Sequence, residues 1–248
     1  MPEDSAPPAD HTTSERYGPL VHRSVRHGAI LLVVGSLIFI GANVVTQVGY
    51  GSSYSLTQNY ISDLGAVNCG TFNASGAIGS SSHMVCSPWH DVFNVGIIVM
   101  GLLIILSMIL IRTAFPARRS RTIGLGLFMI AGVGAIGVGL FPEDVNITLH
   151  SVSALLAFAG AGLALLVLGF AMFRDTRWDG FRAYTLLSGL IDLVALGLFV
   201  SQTYSVLGVG GMERLIVAPV LLWAIVAGVH LARIPTYAPR VLPKTANG

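Results

Sequence analysis

Charged residues are scarce in this sequence: Asp, Glu, Lys and Arg together make up 10% of its 248 residues. A soluble domain carries about 25% charged residues, because its surface must be hydrated. The deficit excludes a water-soluble domain, and the mean hydropathy of +0.74 agrees with this exclusion. Membrane orientation and contact with anionic lipid head groups account for the few cationic residues, so nucleic acid is not expected as a partner.

Long apolar runs occupy most of the chain instead. They have about 18 to 23 residues each, and about 20 residues at 1.5 Å per residue cross the hydrocarbon of a bilayer. They lack the polar face at helical period that a buried helix of a soluble protein would show. The predicted fold class is therefore all-α, a bundle of six membrane-spanning helices. The runs are residues 29–50, 92–111, 122–141, 151–173, 183–205 and 215–232.

The cationic residues predict how the bundle is oriented. Thirteen of the fourteen Lys and Arg residues fall in alternate connections and in the two tails. Basic residues near span ends are retained on the cytoplasmic side, so we expect both termini to be cytoplasmic in a plasma-membrane protein. Residues 1–18 and 236–248 are predicted to be disordered tails that flank a membrane domain over 19–235.

Cysteine is also rare, and its placement is informative. Cys69 and Cys86, the two cysteines of the chain, both fall in the long polar segment 51–88 between the first two spans. The predicted orientation places this segment outside, where disulfides form readily. A bridge between them would contribute up to about 3 kcal/mol in the chain-entropy model. The segment is longer than a connection requires, and we expect it to fold over the bundle as a lid.

Titratable residues gather at the ends of spans on the same predicted outer side. They are Asp63 in the lid, His90 at the start of span two, Glu143 after span three and His150 at the start of span four. Two histidines with carboxylates could bind a metal such as zinc, whose bound water would hydrolyse a lipid ester or amide. The spacing matches no established zinc motif, so other roles stay open.

Two alternatives to a metal site use the same residues. In one, His150 and a carboxylate, either Asp63 or Glu143, form an acid–base pair for acyl transfer, with Ser62 or Ser153 as nucleophile. In the other, these polar groups cap helices and tie the lid to the bundle. Each residue alone fits the structural role, whereas their convergence favours a site.

Two further charged residues stand apart from this cluster. Asp192 lies in the middle of span five, where an isolated carboxylate costs several kcal/mol, so we expect it to face the bundle interior, paired or protonated. Arg214 is the single cation predicted to lie outside, beside Glu213, and it could bind a lipid phosphate or a nearby carboxylate.

Three short motifs resemble a known family of membrane proteins. Residues 60–65 (YISDLG), 139–143 (GLFPE) and 150–154 (HSVSA) resemble the prokaryotic six-span family called domain of unknown function 998. More distantly, the layout is similar to the eukaryotic DRAM/FRAG/Sfk membrane proteins. The resemblance implies a six-helix bundle and an involvement with lipids, without an established activity.

The sequence thus leaves two classes of function. We expect a non-catalytic membrane protein that organises lipids or binds partner proteins. The alternative is a lipid-modifying enzyme of the outer leaflet, a hydrolase or acyltransferase that uses the His and carboxylate residues, with or without zinc. Membrane lipids are the expected partners in either case, and the sequence does not specify an oligomeric state.

Overall fold

The computed structural model describes residues 12–51, 53–72, 83–173 and 175–233, with side chains from Arg23 onward. Within these ranges the fold is all-α, as predicted, apart from two short strands between the first two long helices, β1 (Gly70–Phe72) and β2 (His83–Val85). The long helices are α1 (Thr12–Val48), α2 (His90–Ile111), α3 (Arg119–Leu140), α4 (Ile147–Ala171), α5 (Phe181–Val200) and α6 (Gly208–Leu231).

The six long helices correspond to the six apolar runs. Each of them, together with any adjoining 3₁₀ turn, provides a stretch of 20 to 27 residues that is long and apolar enough to cross a membrane. A helix suits this environment because it satisfies its backbone hydrogen bonds internally, where no water is available to do so. The chain is therefore a multi-pass membrane protein.

The first helix extends on its N-terminal side beyond the first apolar run. α1 begins at Thr12, within the segment predicted to be a tail, whereas its membrane-spanning stretch begins at Arg23. Once a span has formed, residues added at its end need no new nucleation, so a helix extends readily beyond the apolar run. The rest of that tail, residues 1–11, and the predicted C-terminal tail, 236–248, lie outside the described residues.

The helices form a closed ring in chain order. Each helix packs against the next one along the chain, and α6 packs back against α1. The α3–α4 contact depends on small residues: a Cβ added at Gly134 would lie 2.6 Å from the backbone oxygen of Ser153. Glycine there lets the two backbones approach closely, which is how membrane helices gain packing energy.

The connection between α1 and α2, residues 49–89, contains a short 3₁₀ helix over Ser62–Gly65 and the antiparallel β1–β2 pair. The predicted Cys69–Cys86 disulfide is present and joins the two ends of this hairpin. Ser87 Oγ donates to Leu64 O at 2.7 Å, and Asn94 of α2 donates to Gly65 O at 2.9 Å. We call residues 49–89 the lid, the adjacent end of the bundle the lid end, and the opposite end the tail end.

A substitution at Gly134 tests the close α3–α4 contact. We expect Gly134→Ala to lower the thermal unfolding temperature of the detergent-solubilised protein, because the new methyl group would overlap the α4 backbone. Gly126→Ala, in the same helix, is the matched control, since nothing lies within 4 Å of its added Cβ. That control should be neutral or stabilising by up to about 1 kcal/mol. Equal destabilisation by both variants would contradict the close contact.

Candidate functional site

The candidate site begins with Asp63, which the 3₁₀ helix of the lid buries completely, at 0% exposure. Its Oδ2 atom accepts three hydrogen bonds: from Asn59 Nδ2 at 2.8 Å, from the Tyr60 backbone N–H at 3.0 Å and from His83 Nε2 at 2.7 Å. A buried carboxylate needs such donors to replace its lost hydration. The β1–β2 hairpin supplies one of them, because His83 is the first residue of β2.

Glu143 meets Asp63 from the turn between α3 and α4. Ser62 Oγ donates to Glu143 Oε2 at 2.7 Å, and the carboxyl group of Glu143 lies close enough to that of Asp63 for a hydrogen bond between them. Burial raises the pKa of Glu143 well above its usual range, and the charge of Asp63 raises it further. Two carboxyl groups this close repel each other when both are ionised, which favours a state in which they share one proton. The raised pKa favours the protonated form of Glu143, which can donate a hydrogen bond to Asp63.

A third carboxyl group reaches the same place from the start of α6. Glu213 is buried, and its Oε2 atom accepts a hydrogen bond from the backbone N–H of Ile61, one residue before the 3₁₀ helix. Its charge is a further cause of the raised pKa of Glu143. Acidic side chains from the lid, from the α3–α4 turn and from α6 therefore converge at the lid end.

His150 completes the polar groups at this end of the bundle. Its Nδ1 atom lies 2.9 Å from the backbone oxygen of Phe141. Because a carbonyl can only accept, Nδ1 carries a hydrogen, and in the neutral ring Nε2 is left as an acceptor. The side chain is buried at the first turn of α4. His150 is thus held in one orientation by the end of α3.

These groups line a cavity of about 330 Å³ at the lid end, which we call the lid cavity. Its polar lining includes Tyr60, Ser62, Glu143, His150 and Glu213, and also Ser151, Gln202 and Tyr204 near its rim. Its apolar wall is formed by residues of α4 and α5, which include Leu155, Phe158, Leu196, Phe199 and Val200.

The apolar wall of the lid cavity extends to the surface that faces lipid. Leu155 of α4 is 52% exposed and Val200 of α5 is 68% exposed, although both line the cavity. Burial raises the pKa of Tyr60 at the polar end, so its hydroxyl stays protonated at neutral pH. The cavity therefore has a polar end under the lid and an apolar side between α4 and α5.

The structure brings together some of the residues predicted for the site and leaves others apart. Ser62, Asp63 and Glu143 are in direct contact, and His150 lines the same cavity as Ser62 and Glu143. His90 is elsewhere: its Nδ1 atom contacts the backbone oxygen of Ser87 at 2.9 Å, and it does not line the cavity.

The predicted metal site requires His90, His150, Glu143 and Asp63 to converge. Among the side chains that the structure describes, no three His, Cys, Asp or Glu residues are arranged so that they could hold a metal ion. His90 instead lies 3.5 Å from the exposed Asp91, its neighbour in sequence. The zinc site stays a prediction from the sequence.

Arg214, predicted to bind a lipid phosphate, contacts the lid. Its guanidinium donates to the backbone oxygens of Leu56, Asn59 and Gly210 at 2.8 to 3.0 Å. It also donates to Tyr54 Oη at 2.5 Å. These bonds anchor the first half of the lid to α6, and the phosphate-binding role stays a prediction.

No motif in the sequence predicts His83 and Glu213 as members of the site. His83 lies near the end of the lid, 20 residues beyond Asp63 in the YISDLG motif that it contacts. From the sequence, Glu213 is recognisable only as the neighbour of Arg214. Glu213 had one available signal, since an acidic residue at a span end is rare enough to suggest a function.

Comparison with known proteins supports the resemblance seen in the motifs. A family model described as "Protein of unknown function (DUF998)" matches residues 33–230, which is most of the chain. The chain belongs to the DUF998 family. The matched region contains the carboxyl cluster and all of the lid. No curated protein and no solved structure matches the chain.

The shared proton predicts how stability depends on pH. A carboxyl group whose pKa is raised in the folded state stabilises the protein while it stays protonated, and this stability is lost as pH rises above its unfolded pKa of about 4.3. We expect the thermal unfolding temperature to fall between mildly acidic and alkaline pH. The slope from Glu143 is at most about 1.4 kcal/mol per pH unit.

The Glu143→Gln variant separates the pH dependence of stability that arises from Glu143 from that of the other titratable groups. Glutamine can donate to Asp63 and accept from Ser62, as the protonated glutamic acid does, so the variant should fold and lose this part of the slope. Asp91→Asn is the matched control, because its side chain is 90% exposed and should leave the slope unchanged. An unaltered slope in Glu143→Gln would show that Glu143 is ionised in the folded protein.

Proposed function

We propose that this DUF998 protein binds an amphiphilic lipid in the lid cavity and acts as a non-catalytic lipid-binding protein. The observation that carries the proposal is the two-part lining of this cavity, polar under the lid and apolar between α4 and α5. Its volume of about 330 Å³ lies at the lower end of the range of about 300–1,000 Å³ for small-molecule sites. This suits a head group and the first part of one chain, with the rest of the chain in the bilayer.

The side wall supports entry from the bilayer. Leu155 and Val200 line the cavity and are also exposed on the lipid-facing side of α4 and α5. An acyl chain can therefore lie against these helices while its head group is under the lid. Burial of each additional CH₂ group from water contributes about 0.8 kcal/mol.

The polar groups favour a head group with hydrogen-bond donors. Glu143 and Glu213 line the cavity, and neither Lys nor Arg is among the described residues that do so. A phosphate there would meet carboxyl groups with no cation to compensate, which is unfavourable in a poorly hydrated site. Arg214, the nearest candidate cation, donates to three backbone oxygens instead. An amine or hydroxyl head group is the better match.

The predicted orientation places this site in the outer leaflet. The arginine-rich connections lie at the tail end, and cationic connections are retained in the cytoplasm. The lid and its cavity would then face outward in the plasma membrane. This is the compartment in which the Cys69–Cys86 disulfide is stable.

A binding experiment with three single-chain amphiphiles tests the proposal. Purified protein would be incubated with a long-chain amine, a monoacylglycerol and a lysophosphatidic acid of equal chain length, and bound lipid counted by native mass spectrometry. We expect the amine and the monoacylglycerol to be retained and the lysophosphatidic acid to be lost. Preferential retention of the lysophosphatidic acid would contradict the proposed head group.

Glu213→Gln identifies where the amine binds. Loss of one hydrogen bond to a charged group costs about 1.5–3 kcal/mol, so amine affinity should fall about tenfold or more. Monoacylglycerol binding should change much less, because its hydroxyl groups do not require an anion. Asp91→Asn is the matched control at the same end of the bundle, outside the cavity. A similar loss of amine binding in Asp91→Asn would point to general surface charge.

An acyl-transfer enzyme is a second candidate, because the Ser62 hydroxyl donates to Glu143 at 2.7 Å. Ser62 Oγ would attack an acyl carbonyl, its proton would pass to a base, and the alcohol would leave with that proton before water released the acyl group. Glu143 is a poor base here, since it already holds a proton. His150 Nε2, which lines the same cavity, would have to take that role.

Covalent labelling distinguishes the two candidates. An activated serine reacts with a fluorophosphonate, forming an Oγ–phosphorus bond with loss of fluoride. For a non-catalytic protein we expect no adduct on the peptide that contains Ser62, as measured by mass spectrometry. A stoichiometric adduct that is absent from Ser62→Ala and from His150→Gln would establish the enzyme instead.

A further inference from the structure

Asp192 is a buried carboxyl group that the lid site does not use. It lies in the middle of α5 with 0% exposure, and neither of its oxygens has a hydrogen-bond partner among the described residues. Gly162 of α4 makes room for it, since a Cβ added there would lie 2.9 Å from Asp192 Oδ1. A charged carboxylate at this depth costs several kcal/mol unless it is compensated. The carboxylate of Asp192 is therefore expected to bind a proton or another cation that neutralises its charge.

Asp192 faces a second cavity, of about 90 Å³, at the centre of the helix ring. All six long helices contribute to its lining, and the contributions from α1, α2 and α3 are uncharged. The titratable groups in the described lining are Asp192 from α5, His150 from α4 and Glu213 from α6. With no Lys or Arg in that set, a proton is the simplest species that neutralises Asp192.

The central cavity adjoins the lid cavity. The residues that line both are Ser62, His150, Ala154, Phe158 and Glu213. A water molecule needs about 10–15 Å³ of such volume, so the central cavity has room for several. Waters there could connect Asp192 with His150 Nε2 and with Glu213, both of which can accept and release a proton.

Aromatic side chains lie between this cavity and the tail end. Phe128 lines the cavity and stacks on Trp223, with ring centroids 5.1 Å apart. Trp223 also contacts Phe181, which stacks on His230 at 4.7 Å. The Trp223 indole N–H donates to Thr185 Oγ1 at 2.9 Å, so its polar atom is satisfied within this layer. This aromatic layer separates the central cavity from the tail end, whereas at the lid end the central cavity adjoins the lid cavity.

We propose that Asp192 is an intramembrane proton-binding site that exchanges its proton with the lid end of the bundle through the central cavity. The proton leaves the Asp192 carboxyl group for a cavity water, passes to His150 Nε2 or to the Glu213 carboxylate, and is released under the lid. The reverse sequence reloads Asp192. This proposal does not rest on the amphiphile proposed for the lid cavity, although both involve His150 and Glu213.

Infrared spectroscopy of the protein in liposomes tests for the proton. We expect a C=O stretching band of a protonated carboxyl group at neutral pH that is lost in Asp192→Asn and kept in Asp91→Asn. The proposal is overturned if Asp192→Asn folds and the spectrum is unchanged. If that variant does not fold, Gly162→Ala replaces it. The added methyl group presses on Asp192 Oδ1, so the band should shift in frequency, and an unshifted band also overturns the proposal.

The route is tested by the rate at which the Asp192 band shifts in D₂O. Ala154→Leu narrows the junction between the two cavities and should slow this exchange severalfold. Ala224→Leu adds the same volume to a part of the central cavity that is not shared with the lid cavity and should leave the rate unchanged. Slowing by Ala224→Leu, or no slowing by Ala154→Leu, would overturn exchange through the lid end.

Discussion

The close contact between the carboxyl groups of Asp63 and Glu143 is the interaction on which the lid end depends. The lid contributes one carboxyl group, the α3–α4 turn contributes the other, and both are buried. Without a shared proton the two charges would repel each other in a medium that screens poorly. With it, a repulsive contact becomes a hydrogen bond that joins the lid to the bundle. Glu213 accepts from the same 3₁₀ segment and so adds a second tie, from α6.

This arrangement also determines what the lid cavity can recognise. The cluster offers carboxyl oxygens and an imidazole nitrogen, while the cation that could have balanced them, Arg214, is bound to backbone oxygens. A site with more hydrogen-bond acceptors than donors favours ligands that donate hydrogen bonds. The apolar side between α4 and α5 then selects molecules that also carry a chain. Recognition of an amphiphile follows from two separate features of the same cavity.

Much of the fold could be predicted because its signals are local. Each apolar run is long enough to cross a bilayer, and membrane topology alone brings Asp63, Glu143 and His150 to one end of the bundle. The features that could not be predicted from the sequence are determined by tertiary contacts. The rotation of α2 directs His90 toward Ser87, and the hairpin register brings His83 to Asp63. Neither can be obtained from periodicity, since both depend on how the lid folds.

The disulfide in the hairpin that contains His83 makes the geometry of the site depend on whether the lid is in an oxidising or a reducing compartment. Cys69 and Cys86 close this hairpin, and its second strand delivers the imidazole that binds Asp63. A chain inserted with its lid in the reducing cytosol would lack the covalent closure that stabilises this hairpin. With the predicted orientation, the disulfide would make completion of the carboxyl cluster depend on exposure of the lid to an oxidising compartment.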